Sequence, residues 1–321
     1  MKAAIVREFG RPPEYGDFGD PRPDPGETLV SVTAAAVSPL VRARAFGAHY
    51  SSDAAPPFVP GIDGVGRTAA GQRVYFLATR PPFGSLAERS VAETRSCQPL
   101  PDDLDDTTAA AAANPGMSCW IPLTRHAPIR PGEAVLVNGA TGVAGRMAIQ
   151  VAKYLGARRV IATGRTESKF AALRDLGADT VLPLAQPAEA LRDAVRQEAR
   201  EFRIGVVLDY LWGPSAEAIL AGLGGPEAPR GPERVRYIQI GNLAGPTITL
   251  ASSLLRSSGV EILGSGIGSS SRAELATGIG EFLGVYVRAG FRISVTVRPL
   301  SEIEPGWAEG PGDRRPVFTV P

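Results

Sequence analysis

The sequence predicts an α/β protein in which a doubly wound, parallel six-stranded sheet is joined to a mainly β unit. Three observations carry this. Short apolar runs alternate with helix-patterned segments from Val135 to Leu263. Those runs are largely apolar rather than alternating, as strands covered on both faces must be. The first third mixes short β-like runs with frequent Gly and Pro turns, which suits a compact β unit.

In that first third, Ala3–Val6, Thr28–Val37 and Arg73–Leu77 read as strands. The turns GDPRPDPGE (Gly19–Glu27) and RPPFGS (Arg80–Ser85) break the chain between such runs. The acidic run Asp102–Asp106 reads as a solvated turn before a helix. The alternation then begins with a buried strand at Ala134–Asn138. Ala148, Val151, Ala152 and Leu155 follow at i, i+3, i+4 and i+7, one face of a helix that Gly156 ends. Arg159–Thr163 is the second strand. Thr166 is placed to cap the next helix, with Phe170, Leu173 and Leu176 on one side and Gly177 as its stop. Thr180–Leu182 is a strand and Ala188–Phe202 a helix. Ile204–Tyr210 is a strand, and Pro214–Leu223 a helix opened by proline. Gly224–Glu233 is a Gly/Pro-rich loop. Val235–Ile240 and Val260–Leu263 complete the strands, with a short helix Ser252–Ser258 between them. The tail returns to a helix, Arg272–Ala289, and a β run, Arg292–Leu300, expected to pack on the first unit.

Composition sets limits. A chain of 321 residues suits two domains. A net charge of +1 gives no field to draw nucleic acid or a membrane surface, so neither is expected as a partner. Cys97 and Cys119 cannot build a disulfide framework. The N-terminal MKAAIVREFG lacks the apolar core of a signal peptide, and no apolar run spans a bilayer. A cytoplasmic protein is the expectation.

The segment VLVNGATGVAG, Val135–Gly145, sets Gly139, Gly142 and Gly145 three apart between a strand and an amphipathic helix. Such a turn lets the backbone approach a pyrophosphate, and the helix N-terminus offers N–H groups and a positive dipole end. A bare glycine pattern is weak; inside six alternating strands it is much stronger. The other reading is a tight turn with no ligand. The second strand ends Ala162-Thr163-Gly164-Arg165, with no acid before Glu167. An acid there would bind the ribose hydroxyl of NAD and repel a 2′-phosphate. Arg165 and Lys169 instead suit the 2′-phosphate of NADP(H). The alternative leaves Arg165 in solvent and Lys169 paired with Glu167 or Asp175.

Together with VVLDYLWG (Val206–Gly213), IQIGNLAG (Ile238–Gly245), LRSSGVEILGSG (Leu255–Gly266), FVPGIDGVGR (Phe58–Arg67) and AANPGMSCW (Ala112–Trp120), these motifs cover nearly the whole chain. The chain resembles the zinc-independent quinone oxidoreductase branch of the medium-chain dehydrogenase/reductase superfamily. The resemblance implies a GroES-like catalytic domain from 1–113 and 267–321, and a Rossmann domain at 114–266 with the nucleotide in the cleft between them. It implies that Gly142 and Val143 contact the pyrophosphate, in a cofactor-binding turn that includes Gly139, Thr141 and Gly145. Arg165 and Lys169 would bind the 2′-phosphate beside Thr163 and Gly164, and Ile240, Gly241 and Asn242 would lie near the nicotinamide. A homodimer through the sixth strands is implied in the same way. Zinc-dependent members carry Cys where this chain has Ser38, and Gly-His-Glu where it has Gly61-Ile62-Asp63. No metal is therefore expected.

Without a metal to polarise a carbonyl, quinones and activated C=C bonds are the easier hydride acceptors. Hydride adds to a carbon conjugated with the carbonyl, and the developing enolate needs only hydrogen-bond donors and a proton. Tyr50, where the family often places a Tyr at the active-site mouth, and Ser38 are the candidate catalytic residues. Their alternatives are a loop Tyr and a turn Ser before Pro39. His49 reads as a surface residue, His126 as structural, Asp209 as a strand-end acid capping backbone, and Cys119 as an inert thiol. Trp120, Trp212 and Phe83 either wall a flat apolar pocket or fill the core. The expected function is an NADPH-dependent, zinc-independent oxidoreductase acting on a quinone or an activated C=C of an α,β-unsaturated carbonyl. Its partner would be a small-molecule hydride acceptor. The alternative is a non-redox isomerase or cyclase of a biosynthetic intermediate that retains the NADP(H) site.

Overall fold

The computed structural model describes residues 1–52, 54–224, 234–310 and 312–320. Two compact units divide the chain: Met1–Met117 with Ser270–Pro321, and Ser118–Ser269.

The first unit opens with β1 (Lys2–Ile5) and β2 (Glu14–Asp17), an antiparallel pair. The long strand β3 (Glu27–Ala36) buries Val30 and Val32 while Ser31 faces solvent, the period-two pattern of a half-covered strand. Helix α1 (Pro39–Ala45) follows directly. Antiparallel to β3 lies β4 (Asp63–Thr68), which pairs in turn with β5 (Arg73–Leu77). Strand β6 (Arg89–Glu93) pairs with the start of β3, and β7 (Cys97–Pro99) with β5. Helix α2 (Asp106–Ile121) runs on through Pro115, so the division expected at 113/114 falls inside a continuous helix. The predicted turn at Asp102–Asp106 is solvated only in part. Asp106 opens α2, and its carboxylate takes Arg73 Nε at 2.5 Å and the Thr33 hydroxyl at 2.5 Å.

The second unit alternates strand and helix: β8 (Ala134–Asn138), α3 (Val143–Tyr154), β9 (Arg159–Gly164), α4 (Phe170–Asp175), β10 (Thr180–Pro183), α5 (Ala188–Glu201), β11 (Ile204–Asp209), α6 (Gly213–Leu223), β12 (Val235–Gln239), α7 (Ser252–Ser257) and β13 (Val260–Gly264). All six strands are parallel, in the order β10-β9-β8-β11-β12-β13. Chain progression reverses between β8 and β11, and ligands of such sheets bind at the strands' carboxyl ends there. Every residue of β8 and β11 is buried, which explains their unbroken apolar runs. Leu136, Ile161, Val207, Ile219 and Tyr237 form the core on one side. Each such side chain stabilises the fold by about 1.5–3 kcal/mol. Thr166 makes no side-chain cap. Residues Glu167–Lys169 form a 3-10 turn first, and α4 starts at Phe170. Beyond Gly224, the loop expected over Gly224–Glu233 lies outside the described residues.

The tail comprises α8 (Arg272–Val285), β14 (Val295–Pro299), α9 (Ile303–Ala308) and β15 (Arg315–Thr319). A full capping box at Ser271 and Glu274 starts α8. It stops before the expected Ala289. There Tyr286 packs on Phe282 and Phe291, and Gly290 turns the chain at φ 67°. Strand β15 pairs antiparallel with β3, and β14 lies parallel beside it, completing a seven-stranded sheet.

Candidate functional site

Gly139, Gly142 and Gly145 are glycine for three different reasons. Gly139 sits at φ +88°, and a Cβ there would lie 2.8 Å from Leu211 Cγ. At Gly145 a Cβ would meet Ala140 Cα and Gly139 O at 2.6 Å, because the helix presses on the turn. Gly142 has ordinary angles, φ −76° and ψ 165°, and the nearest atom to a Cβ would be 3.7 Å away. The fold does not demand glycine there; the close approach of a ligand would. The N–H groups of the first turn of α3 have no intrahelical acceptor, and the helix dipole adds positive potential. This open cradle fits a diphosphate.

Arg165 is exposed just past β9 and makes no ion pair with the described residues; Lys169 is half-buried at the end of the 3-10 turn. Thr163 and Gly164, expected beside the 2′-phosphate, are both buried. Thr163 is fully buried, donates its hydroxyl proton to Asn138 Oδ1 at 2.7 Å and accepts the Gly139 N–H at 3.0 Å. Gly164 is buried against Thr141, whose Cγ2 would lie 2.7 Å from a Cβ. Both residues support the turn from beneath. Thr141 and Val143 are half-buried on the turn itself.

Asp209 ends β11 with no exposure. Its Oδ1 accepts from Leu211 N (2.9 Å), Trp212 N (3.0 Å) and Asn138 Nδ2 (2.8 Å), and its Oδ2 from the Tyr237 hydroxyl (2.6 Å). The strand-end acid does cap backbone, as expected, but it also gathers partners sequence reasoning missed. Asn138, Thr163 and Tyr237 come from three other strands. The signal available was an Asn closing the apolar run VLVN. At the neighbouring strand end, the N–H groups of Ile240 and Gly241 donate to the Asp209 carbonyl at 2.8 and 3.1 Å. Gly241 leaves no room for a side chain, since its Cβ would lie 2.6 Å from Tyr210 O. Asn242 is exposed beside it.

Trp120 is a core residue, 6.2 Å from the Tyr154 ring. Trp212 is half-buried, edge-on to Tyr237. Phe83 packs edge-on against Phe18 in the first unit. Burial pushes the Cys119 thiol well above its ordinary range, which leaves it inert.

In the first unit, Ser38 is buried as the N-cap of α1, and its Oγ accepts the Val41 N–H at 3.2 Å. Its hydroxyl proton remains to donate. Tyr50 is 75% exposed, with its ring 4.2 Å from that of His49. His49 Nδ1 accepts the Ser51 N–H at 3.1 Å, which places the proton of the neutral ring on Nε2. Burial and the nearby Arg44 hold its pKa below the usual value. Asp63 is buried, and burial pushes its carboxyl up to about 6, although the Tyr75 hydroxyl (2.7 Å) and Arg315 oppose the shift. Arg315 is held down at about 10 by burial. A cavity of about 30 Å³ lies among Val41, Ser52, Phe58, Pro60 and Ile62, room for about one water. Among the described residues no three His, Cys, Asp or Glu side chains gather as a metal site would need. No described helix is long and apolar enough to cross a membrane.

The family of zinc-binding dehydrogenases matches residues 144–224, inside the second unit. Over its full length and that of its relative, the chain is 30% identical to a probable NADPH-dependent quinone reductase, tdiC, of Emericella nidulans. It is 30% identical to the quinone oxidoreductase of Rattus norvegicus over 66% of each chain. Among solved structures, a mycobacterial quinone oxidoreductase superposes with a TM-score of 0.85 at 25% identity, covering 99% of both chains. The Escherichia coli quinone oxidoreductase, solved with NADPH, superposes at 0.83 and 18% identity over 99% of this chain and 100% of its own.

Proposed function

Since the chain belongs to the zinc-independent quinone oxidoreductase branch of the medium-chain dehydrogenase/reductase superfamily, we propose that it is an NADPH-dependent reductase of quinones or of activated C=C bonds in α,β-unsaturated carbonyls. The open cradle at Gly142 carries this reading: it is the one glycine of the turn whose side-chain space the fold leaves empty. Bound NADPH would supply the hydride.

The chain's own part is binding, orientation and a proton. The Val143 end of α3 would hold the diphosphate, and Arg165 with Lys169 the 2′-phosphate. Ile240, Gly241 and Asn242 would flank the nicotinamide, on a backbone pinned to the Asp209 carbonyl. Tyr50, exposed to solvent, would give the proton to the acceptor oxygen, and the Ser38 hydroxyl would donate a hydrogen bond. A second copy would pair along β13, one of the two edge strands of the parallel sheet.

The test is consumption of NADPH against quinones and enones, with products identified. Equimolar hydroquinone or saturated carbonyl supports the proposal. Product formed from a candidate intermediate without cofactor consumption would replace it with a non-redox reaction.

A further inference from the structure

The buried polar network beneath the glycine turn has no part in the chemistry just described. It joins the carboxyl ends of the four central strands through side chains alone. Tyr237 on β12 donates to Asp209 on β11; Asn138 on β8 donates to the same carboxylate; Thr163 on β9 donates to Asn138. The chain ends on Gly139 N–H, which Thr163 Oγ accepts at 3.0 Å. Asn138 spends its second amide proton on Ser215 Oγ at 3.0 Å, so its orientation is fixed. Asn138, Thr163 and Asp209 have no exposure at all.

Asp209 also holds a strained backbone. Trp212 lies at φ 59°, ψ −156°, a region essentially confined to glycine. One oxygen of Asp209 accepts both the Leu211 and the Trp212 N–H, and so keeps the chain in that conformation. Leu211 in turn is the residue that Gly139 lies against. The same carboxylate thus reaches Gly139 by two routes, one through Asn138 and Thr163 and one through Leu211.

We propose that Asp209, Asn138 and Thr163 are positioning residues for the cofactor: the network sets the height of Gly139 and the register of the Gly164–Arg165 segment relative to it. This rests on the cradle being an NADP(H) site. Breaking one link should therefore loosen the dinucleotide while leaving the acceptor's environment intact. Thr163→Val removes the hydroxyl at constant shape and strands both Gly139 N–H and Asn138 Oδ1. Thr163→Ser keeps it. Asp209→Asn keeps the backbone cap but replaces one acceptor oxygen by a donor facing Tyr237.

The experiment measures NADPH dissociation constants, KM for each substrate and thermal melting for the wild type and these three variants. Thr163→Val should weaken NADPH about tenfold, the worth of one buried hydrogen bond, with kcat at saturating NADPH and acceptor KM within about twofold. Thr163→Ser should restore the affinity, and Asp209→Asn should fall between. A lowered melting temperature with unchanged NADPH affinity makes the network structural only and overturns the proposal. Equal losses in NADPH and acceptor KM overturn it too. A wild type that binds no NADPH overturns the cofactor reading and this proposal together; a wild type that binds, with variants that bind equally, overturns this proposal alone.

Discussion

Replacing Gly142 with Ala separates the ligand cradle from the fold. The new methyl has no neighbour nearer than 3.7 Å, and the backbone already sits at φ −76°. Folding should be unharmed, and the lower entropy of the unfolded chain stabilises by about 0.4–1 kcal/mol. Gly145→Ala is the contrasting variant. Its methyl would overlap Ala140 Cα and Gly139 O at 2.6 Å, both on backbone that cannot swing aside. Overpacking of that kind costs about 1–3 kcal/mol. For a unit of this size, each kcal/mol lowers the melting temperature by roughly 2–4 °C. In the Gly142 variant the methyl instead enters the space a diphosphate would occupy. NADPH affinity should fall at least tenfold, about 1.4 kcal/mol. Thermal melting and NADPH titration by tryptophan emission measure the two effects. Wild-type NADPH affinity in Gly142→Ala, or melting as low as that of Gly145→Ala, would refute the assignment of the cradle.

Arg165→Gln should cost NADPH on the order of tenfold in KM while leaving NADH unchanged, because only NADPH carries the 2′-phosphate; equal losses for both cofactors would remove Arg165 from that role. Tyr50→Phe should leave the melting temperature unchanged, since the ring is 75% exposed, and lower kcat by about a hundredfold if the hydroxyl supplies the proton; an unchanged kcat excludes it. Ser38→Ala should lower stability by about 1 kcal/mol through loss of the α1 cap, read by denaturant titration. Asp63 predicts a pH effect. Its carboxyl is raised from an ordinary 3.8 to about 6, so the folded protein keeps a proton that the unfolded chain has released between these values. Its stabilisation is complete below about 3.8 and is lost as pH rises through about 6. Asp63→Asn should remove that component from stability measured between pH 4 and 7; an unaltered slope would show that Asp63 does not titrate there.

The parallel sheet was legible because most of its strands are short, largely apolar runs closed by glycine, proline or a polar residue. Ala134–Asn138 was read to the residue, and Arg159–Gly164 to within one. The glycine spacing showed that a turn was there, but not why each glycine is needed. That depends on Leu211 and Ala140, which the fold alone brings beside them. The partners of Thr163 were hidden for the same reason: nothing in the local spacing of a strand-end hydroxyl points to Asn138, whose Oδ1 lies 2.7 Å away in the fold. Asp209 was read as a backbone cap, yet its link to Tyr237 was hidden, because partners on separate strands leave no local spacing to recognise. Thr166 looked like a cap by residue type, but the chain starts with a 3-10 turn that gives its hydroxyl nothing to accept.

Whether this chain is an NADPH-dependent quinone or enone reductase is tested most directly by following reduced-cofactor consumption against a panel of such acceptors, with NADPH and NADH in parallel. Turnover with NADPH, and markedly less with NADH, is the predicted result. Tight NADPH binding without turnover on any acceptor, or equal use of both cofactors, would contradict it.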